Sequence, residues 1–308
     1  MEKQTTAQIM MIRPAAFAYN AETAENNSFQ IKDANDSPED IKSRAIREFD
    51  QMVHALRSKN IDVIVIEDGA APAKPDAVFP NNWVSFHQDG TVVTYPMFAE
   101  SRRNERSENI IDQIGKDYMI TQRIRLEGEE EHHRFLEGTG SMILDRPHKI
   151  VYACLSPRTD HDLLEEWSYK MGYTAVVFDA VDEAGEAVYH TNVIMALGQD
   201  FVVICLEAVK DSFEQQALIE TLEDTGKEII EISFQQVLSF AGNMLAINDK
   251  AGKPYLAMSE QAYKSLGKDQ IEQLEQYAEI INFPIYTIEK YGGGSVRCMM
   301  AEVFLSSK

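Results

Sequence analysis

Three side chains able to do covalent chemistry sit in polar or glycine-rich segments that lead into apolar ones: Cys298, His190 and Glu137. Cys298 ends the segment Tyr291-Gly292-Gly293-Gly294-Ser295-Val296-Arg297-Cys298, ahead of the apolar residues 299–305. Each glycine costs about 1 kcal/mol relative to alanine inside a regular element, so three in a row mark a backbone that turns tightly or approaches a ligand. A thiol beside Arg297 on such a backbone can be held as a thiolate and used as a nucleophile. His190, in Tyr189-His190-Thr191-Asn192, is the base such a cysteine would need if folding brings the two together. Glu137 begins a run of small residues between the apolar stretches 135–136 and 142–144. A carboxylate partly buried there needs a partner, and a cationic or amide-bearing substrate would serve. Each residue also has a plainer reading: a small core thiol, a satisfied core imidazole, a surface acid.

The elements that must position them recur with a period. Asn82, Gly140, Asn192, Asn243 and Arg297 each open a short segment in which small or polar residues lead into an apolar strand, at gaps of 58, 52, 51 and 54 residues. Helical segments at 160–171, 211–225 and 259–280 separate the later markers, and a helix over 38–59 starts with Ser37 as cap and early acids. Strands are expected at 61–66, 83–86 and 91–95, the last two joined by Gln88-Asp89-Gly90. In-phase repetition predicts supersecondary units whose strand starts meet at one centre lined with polar residues, the default place for chemistry. A doubly wound α/β sheet is the alternative, since its strands and helices also alternate.

Other segments offer candidates. Pro75-Asp76-Ala77-Val78-Phe79-Pro80-Asn81-Asn82 places an amide pair before a strand, where it could orient a substrate or merely form a turn. Arg102, Arg103 and Arg106 read as surface residues, although one of them could reach a substrate carboxylate. The run Glu129 to His133 reads as a solvated loop rather than a metal site. Cys154 and Cys205 lie in apolar strands and read as core.

The totals narrow the function classes. In 308 residues, 44% hydrophobic and 26% charged, 29 basic against 50 acidic side chains give a formal charge of −21. That balance disfavours nucleic acid and anionic membrane as main partners but does not prevent a local positive pocket. Three scattered cysteines make neither a disulfide framework nor a zinc site, and no run approaches the ~20 apolar residues of a span. A reducing cytoplasm is the expected location.

Taken in order, these segments resemble the guanidine-modifying superfamily of arginine deiminases, dimethylarginine dimethylaminohydrolases and amidinotransferases, over nearly the whole chain. Residues 75–79 resemble its Pro-Asp-x-Val-Phe motif, Leu136-Glu137-Gly138 its Glu-Gly-Gly-Asp segment, 155–159 a stretch that follows, and 292–298 its nucleophile motif. Phe79-Pro80-Asn81-Asn82-Trp83 is similar to the citrulline-utilisation hydrolase branch. The resemblance implies one catalytic domain over residues 1–308, a five-bladed α/β propeller (pentein) of ββαβ units with pseudo-fivefold symmetry. It implies Cys298 as nucleophile, His190 as general acid/base and Glu137 as a substrate-binding carboxylate. Asp76, Phe79, Asn81, Asn82 and Asn192 would line the substrate site, and Arg102 and Arg146 would hold the amino-acid end. No cofactor or metal is implied, and oligomerisation stays open.

The departures suggest the substrate. Asn81-Asn82 stand where relatives carry an acid, Asn192 replaces the acid of His-x-Asp, and Thr139-Gly140 replace a Gly-Asp pair. A guanidinium selects carboxylates that accept its N–H groups, whereas asparagine both donates and accepts. A neutral ureido group presents a carbonyl oxygen that needs donors. The expectation is a ureido amino acid such as citrulline, converted to ornithine, ammonia and carbon dioxide. Arginine deiminase or dimethylargininase activity, amidino transfer, and a non-catalytic binding protein on the same propeller are the alternatives.

Overall fold

Alternation of short apolar strands with amphipathic helices sets the architecture. The helix Pro38–Ser58 shows the logic: the Ser37 hydroxyl accepts from Asp40 N–H, Pro38 fits the first turn, and Ile41, Ala45, Phe49, Met52, Val53 and Leu56 make one buried stripe. A computed structural model describes residues 2–33, 35–69 and 71–308.

Strands β1 (Gln8–Arg13), β2 (Asp62–Glu67), β3 (Val84–Phe86), β4 (Thr91–Thr94), β5 (Gln122–Arg125), β6 (Ile143–Asp145), β7 (Ile150–Cys154), β8 (Thr174–Phe178), β9 (Met195–Leu197), β10 (Phe201–Ile204), β11 (Glu228–Glu231), β12 (Leu245–Asn248), β13 (Pro254–Ser259), β14 (Glu279–Phe283) and β15 (Ala301–Glu302) follow in chain order. Among the described residues they form five three-stranded sheets, β15-β1-β2, β3-β4-β5, β6-β7-β8, β9-β10-β11 and β12-β13-β14. Every sheet pairs its first two strands antiparallel and its last two parallel. Parallel neighbours need a crossover, and the intervening helices supply it. The fold is thus mixed α/β.

The first sheet takes its leading strand from the other end of the chain. Val303 N–H donates to the Gln8 carbonyl at 2.9 Å, and Ile9 and Met10 register with Glu302 and Ala301. That pairing ties the segment after Cys298 to the start of the chain. The leading strands are also neighbours: β6 lies beside β9, β9 beside β12, and β15 beside β3. Turns ahead of these strands therefore converge.

The expected helix over 259–280 is not one helix. It is divided into Glu260–Ser265 and Lys268–Leu274, with Gly267 capping the second, and Ile280 already belongs to β14. Glycine at the break and the apolar Ile280-Ile281 pair, drawn into a parallel ladder with β13, outweigh local helix propensity. Among the described residues no helix is long and apolar enough to cross a membrane.

Candidate active site

Four of the five markers contribute to one place. Asn82 closes the 3-10 turn Pro80–Asn82, Gly140 lies in the one-turn helix Gly138–Ser141, Asn192 in the 3-10 turn Thr191–Val193, and Asn243 just before β12. A single cavity is lined by Asp76, Phe79, Asn82, Arg102, Arg158, Tyr189, His190, Cys298 and the three glycines 292–294, together with Thr23, Asn27 and Gln30. Cys298, His190, Asp76, Phe79, Asn82 and Arg102 are thus brought together. Glu137 reaches the group through His190, and Asn192 through Cys298.

The triple glycine is explained by close approach. The helix Tyr286–Gly292 ends at Gly293, whose φ of 63° is left-handed. A side chain at 292 or 294 would meet the Phe79 ring at 2.7 and 2.9 Å, and one at 293 would meet Asn27 and Gln30 at 2.6 Å. The glycine backbone runs between these groups. Gln30 Nε2 donates to Gly292 O at 3.0 Å, Asn27 Nδ2 to Gly293 O at 3.3 Å, and Tyr189 Oη to Gly293 O at 3.0 Å. Ser295 then donates to the buried Glu289 at 2.7 Å, and Cys298 N–H closes a turn onto Ser295 O at 3.0 Å.

Two carboxamides point at the sulfur. Asn192 Nδ2 lies 3.4 Å and Asn243 Nδ2 3.3 Å from Cys298 Sγ. Asn243 is fixed in that orientation because its oxygen accepts from Arg297 N–H at 3.0 Å and its nitrogen also donates to Asn192 O at 3.0 Å. Donors aimed at a sulfur can hydrogen-bond it as it reacts. Cys154 and Cys205 are buried in apolar surroundings, and burial pushes both thiols up, to about 12 and about 11. Only Cys298 sits among polar groups in a cavity.

His190 and Glu137 form a buried pair, Nε2 to Oε2 at 2.8 Å. Burial opposes the Glu137 charge, but Arg158, His190 and Arg102 overcome it and hold the carboxyl at about 2. Burial pushes His190 down to about 4, with Arg158 and Arg102 helping and Glu137 opposing. At neutral pH the pair is an ionised carboxylate and a neutral imidazole. The carboxylate can only accept, so Nε2 carries the proton and Nδ1 keeps its lone pair. Nδ1 faces Gly140, where a side-chain carbon would lie 2.8 Å from it and 2.4 Å from Asn82 Nδ2. Glycine at 140 thus leaves a base and an amide free to share one space.

Arg102 departs from the surface reading: it is 3% exposed. It is paired with Glu105 through Nε at 2.9 Å and Nη2 at 2.8 Å, and it donates to Asn82 Oδ1 at 2.8 Å and Phe79 O at 3.1 Å. Sequence patterning missed this because its bidentate partner, Glu105, lies only one turn away and resembles half of a surface helix pair. Burial pushes Glu105 up to about 7 despite Arg102. Arg103 and Arg106 are partly buried against Glu130. Glu129 pairs with Arg134, and among the described residues no His/Cys/Asp/Glu group is arranged to hold a metal.

Two expected substrate contacts lie elsewhere. Arg146 is buried but lines a different cavity, stacked 4.0 Å from the Phe304 ring centroid. Asn81 is wholly buried behind the Cys298 cavity, its backbone oxygen accepting from Thr139 Oγ1 at 3.3 Å. In place of Arg146 the fold brings in Arg158, 3.5 Å from Glu137 and stacked over Tyr189 at 4.9 Å. Arg158 lies inside the segment Leu155-Ser156-Pro157-Arg158-Thr159, whose motif resemblance could have found it. Asn243 is the other omission, and its phase with Asn82 and Asn192 was the available signal.

Residues 13–305 match the family described as "N,N dimethylarginine dimethylhydrolase, eukaryotic". The chain belongs to this family. The dimethylargininase-family chain is accordingly a hydrolase of carbon–nitrogen bonds other than peptide bonds, of the guanidino-modifying pentein superfamily. A search of curated proteins finds no match.

Among solved structures, the substrate-bound N-terminal domain of a mutant of ArgZ, an arginine dihydrolase from the ornithine-ammonia cycle in Cyanobacteria, aligns with a TM-score of 0.73 at 17% identity, covering 96% of this chain and 97% of that one. AgrE in a ternary complex with ornithine and NAD+ aligns at 0.72 and 17%, covering 98% of this chain but only 40% of AgrE. A mutant dimethylarginine dimethylaminohydrolase in an adduct with S-methyl-L-thiocitrulline aligns at 0.66 and 16%, covering 97% and 99%. These likenesses establish the fold.

Proposed function

We propose that this family member hydrolyses a ureido amino acid, citrulline to ornithine, ammonia and carbon dioxide, on a five-bladed propeller whose leading strands surround the Cys298 cavity. The observation that carries the substrate is the orientation of Asn82: with its oxygen taken by Arg102, its N–H2 group is the half left for the cavity. A donor suits a ureido oxygen and repels a guanidinium N–H.

In this reading Cys298 passes its proton to His190 Nδ1 as the sulfur adds to the ureido carbon. The imidazolium, stabilised by Glu137, protonates the terminal nitrogen, which leaves as ammonia. His190 then takes a proton from water, which attacks the S-carbamoyl intermediate and expels the thiolate. The carbamate of ornithine that results loses carbon dioxide. Asn82 Nδ2, with Asn192 and Asn243 beside the sulfur, supplies donors toward the developing oxyanion. Arg158 and Arg102 would attract the substrate α-carboxylate and Asp76 its α-ammonium, since Asp76 Oδ1 is buried without a hydrogen-bond partner among the described residues. Phe79 flanks the glycines and the substrate chain.

One observation favours a second reading. Burial pushes Asp76 up, with Arg102 opposing. Once ionised beside a cationic substrate, it is an acceptor in the cavity and suits the guanidino group of arginine or methylarginine, in keeping with the family description. Product formation from citrulline, arginine and dimethylarginine by the purified protein separates the two. Ammonia from arginine but none from citrulline overturns the ureido assignment.

A further inference from the structure

A second cavity shares no lining residue with the first. It is bounded by Ile143 and Leu144 of β6, Ala196 and Leu197 of β9, Leu245 and Ala246 of β12, and by Gln4, Arg146, Arg297 and Glu302. Apolar strand walls and converging charges are a poor match unless the charges are balanced. Arg146 and Arg297 are 3% and 6% exposed, and Glu302 is their shared carboxylate.

The sharing is unequal. Arg297 Nη2 donates to Glu302 Oε2 at 2.9 Å and its Nη1 to Met300 O at 3.0 Å. Arg146 Nη2 stands 3.9 Å from the same oxygen, beyond hydrogen-bond length. Its one side-chain hydrogen bond among the described residues joins Nη1 to His87 Nδ1 at 3.5 Å. Burial, with Arg146 and Lys149 adding to it, pushes His87 well below its ordinary value, so that ring is neutral and supplies no negative charge. The nearby Lys149 is paired with Glu2, and Lys227 with Asp145. Phe304 covers one face of the Arg146 guanidinium, and its in-plane N–H edges meet only the neutral acceptors His87 Nδ1 and the Tyr173 hydroxyl, with no carboxylate within hydrogen-bond length among the described residues. Two guanidinium groups against one carboxylate leave one positive charge in a space walled by apolar strands.

We propose that this second cavity binds a small monovalent anion of chloride size between Arg146 and Arg297. The charge count sets the valence, and the apolar strands on three sides set the size limit. Arg297 precedes Cys298, and its N–H orients Asn243. The anion would therefore sit behind the segment that carries the thiol.

The test compares thermal unfolding in sodium chloride and in sodium gluconate at constant ionic strength. Chloride at about ten times its dissociation constant is expected to raise the midpoint by roughly 2–3 °C over gluconate, saturably. Arg146→Gln is expected to abolish that difference, while Arg125→Gln, an exposed control paired with Glu108, keeps it. Equal chloride responses in wild type and Arg146→Gln, or loss of the response in Arg125→Gln, would overturn the proposal. Should Arg146→Gln fail to fold, a bromide-soaked crystal of the wild type decides: an anomalous peak between the two guanidinium groups supports the site, and none there overturns it.

Discussion

Asn82 and Arg102 are joined at 2.8 Å, guanidinium to carboxamide oxygen, and this one bond turns the Asn82 N–H2 toward the space that His190 Nδ1 also faces. A side chain that could accept or donate is thereby committed to donating. Replacing it by a carboxylate reverses the sign of what the cavity offers. Asn82→Asp is expected to lower the ratio of kcat/KM for citrulline over arginine by about 10- to 100-fold, one buried charge-assisted hydrogen bond in size. Steady-state kinetics on both substrates check it, and an unchanged ratio removes Asn82 from substrate selection.

In the proposed mechanism the thiol carries the covalent step. Cys298→Ala should lose at least ~1,000-fold in turnover while unfolding at the same temperature as wild type. Asn243→Ala keeps the thiol but removes one of its two carboxamide donors, and should slow alkylation of Cys298 by iodoacetamide at pH 8 by about 10-fold. Equal alkylation rates would mean that the 3.3 Å contact does not stabilise the thiolate.

In the same mechanism the pair His190–Glu137 sets the acid limit. His190 stays neutral until about pH 4, so kcat/KM for citrulline should fall on the acid side near 4 rather than near the ordinary imidazole value of 6.5. Stability follows the same direction. The unfolded chain protonates this histidine near 6.5 and the folded chain only near 4, so folding weakens as pH falls through that window. Glu137 adds stability that is complete above 4.5 and lost as pH falls toward about 2. Unfolding midpoints at pH 7, 5 and 3.5 should decrease in that order, and His190→Gln should flatten the upper part of the decline.

Gly293 has both a left-handed backbone and no room for a side chain. Gly293→Ala should destabilise the fold by about 1–2 kcal/mol from backbone strain alone. Displacing Asn27 and Gln30 from the carbonyls of 292 and 293 should also lower turnover, by moving the segment that bears Cys298. Thermal unfolding together with kcat distinguishes the two effects, and an active, equally stable variant contradicts both.

Much of the fold was legible because repetition is a property of sequence. Asn82, Gly140, Asn192 and Asn243 recur in phase, and apolar strands with capped helices follow each. Strand starts at 84, 91, 143 and 195 follow from that pattern, whereas the break at Gly267 did not stand out in a polar helical window. At the site, residue types and family-like motifs led to Cys298, His190, Glu137 and Asn82. The residue types alone took Arg102 as a surface cation, whereas the motifs placed it at the substrate together with Arg146, which lines a different cavity. A cation's burial depends on which distant elements close over it, and nothing within a few residues of it records that.

The sequence by itself determined which residues are chemically able: one thiol in a polar loop, one histidine ahead of a repeated strand start, and asparagines at other strand starts. Those are properties of residue type and spacing. Only the tertiary structure decided what each is able to do. Arg102 fixes which half of Asn82 faces the cavity, and Glu137 fixes which nitrogen of His190 keeps its lone pair. Arg158, rather than Arg146, stands beside them. Hydrogen-bond direction, tautomer and charge partner are set by contacts between residues 20 to more than 50 positions apart, and only folding makes those contacts.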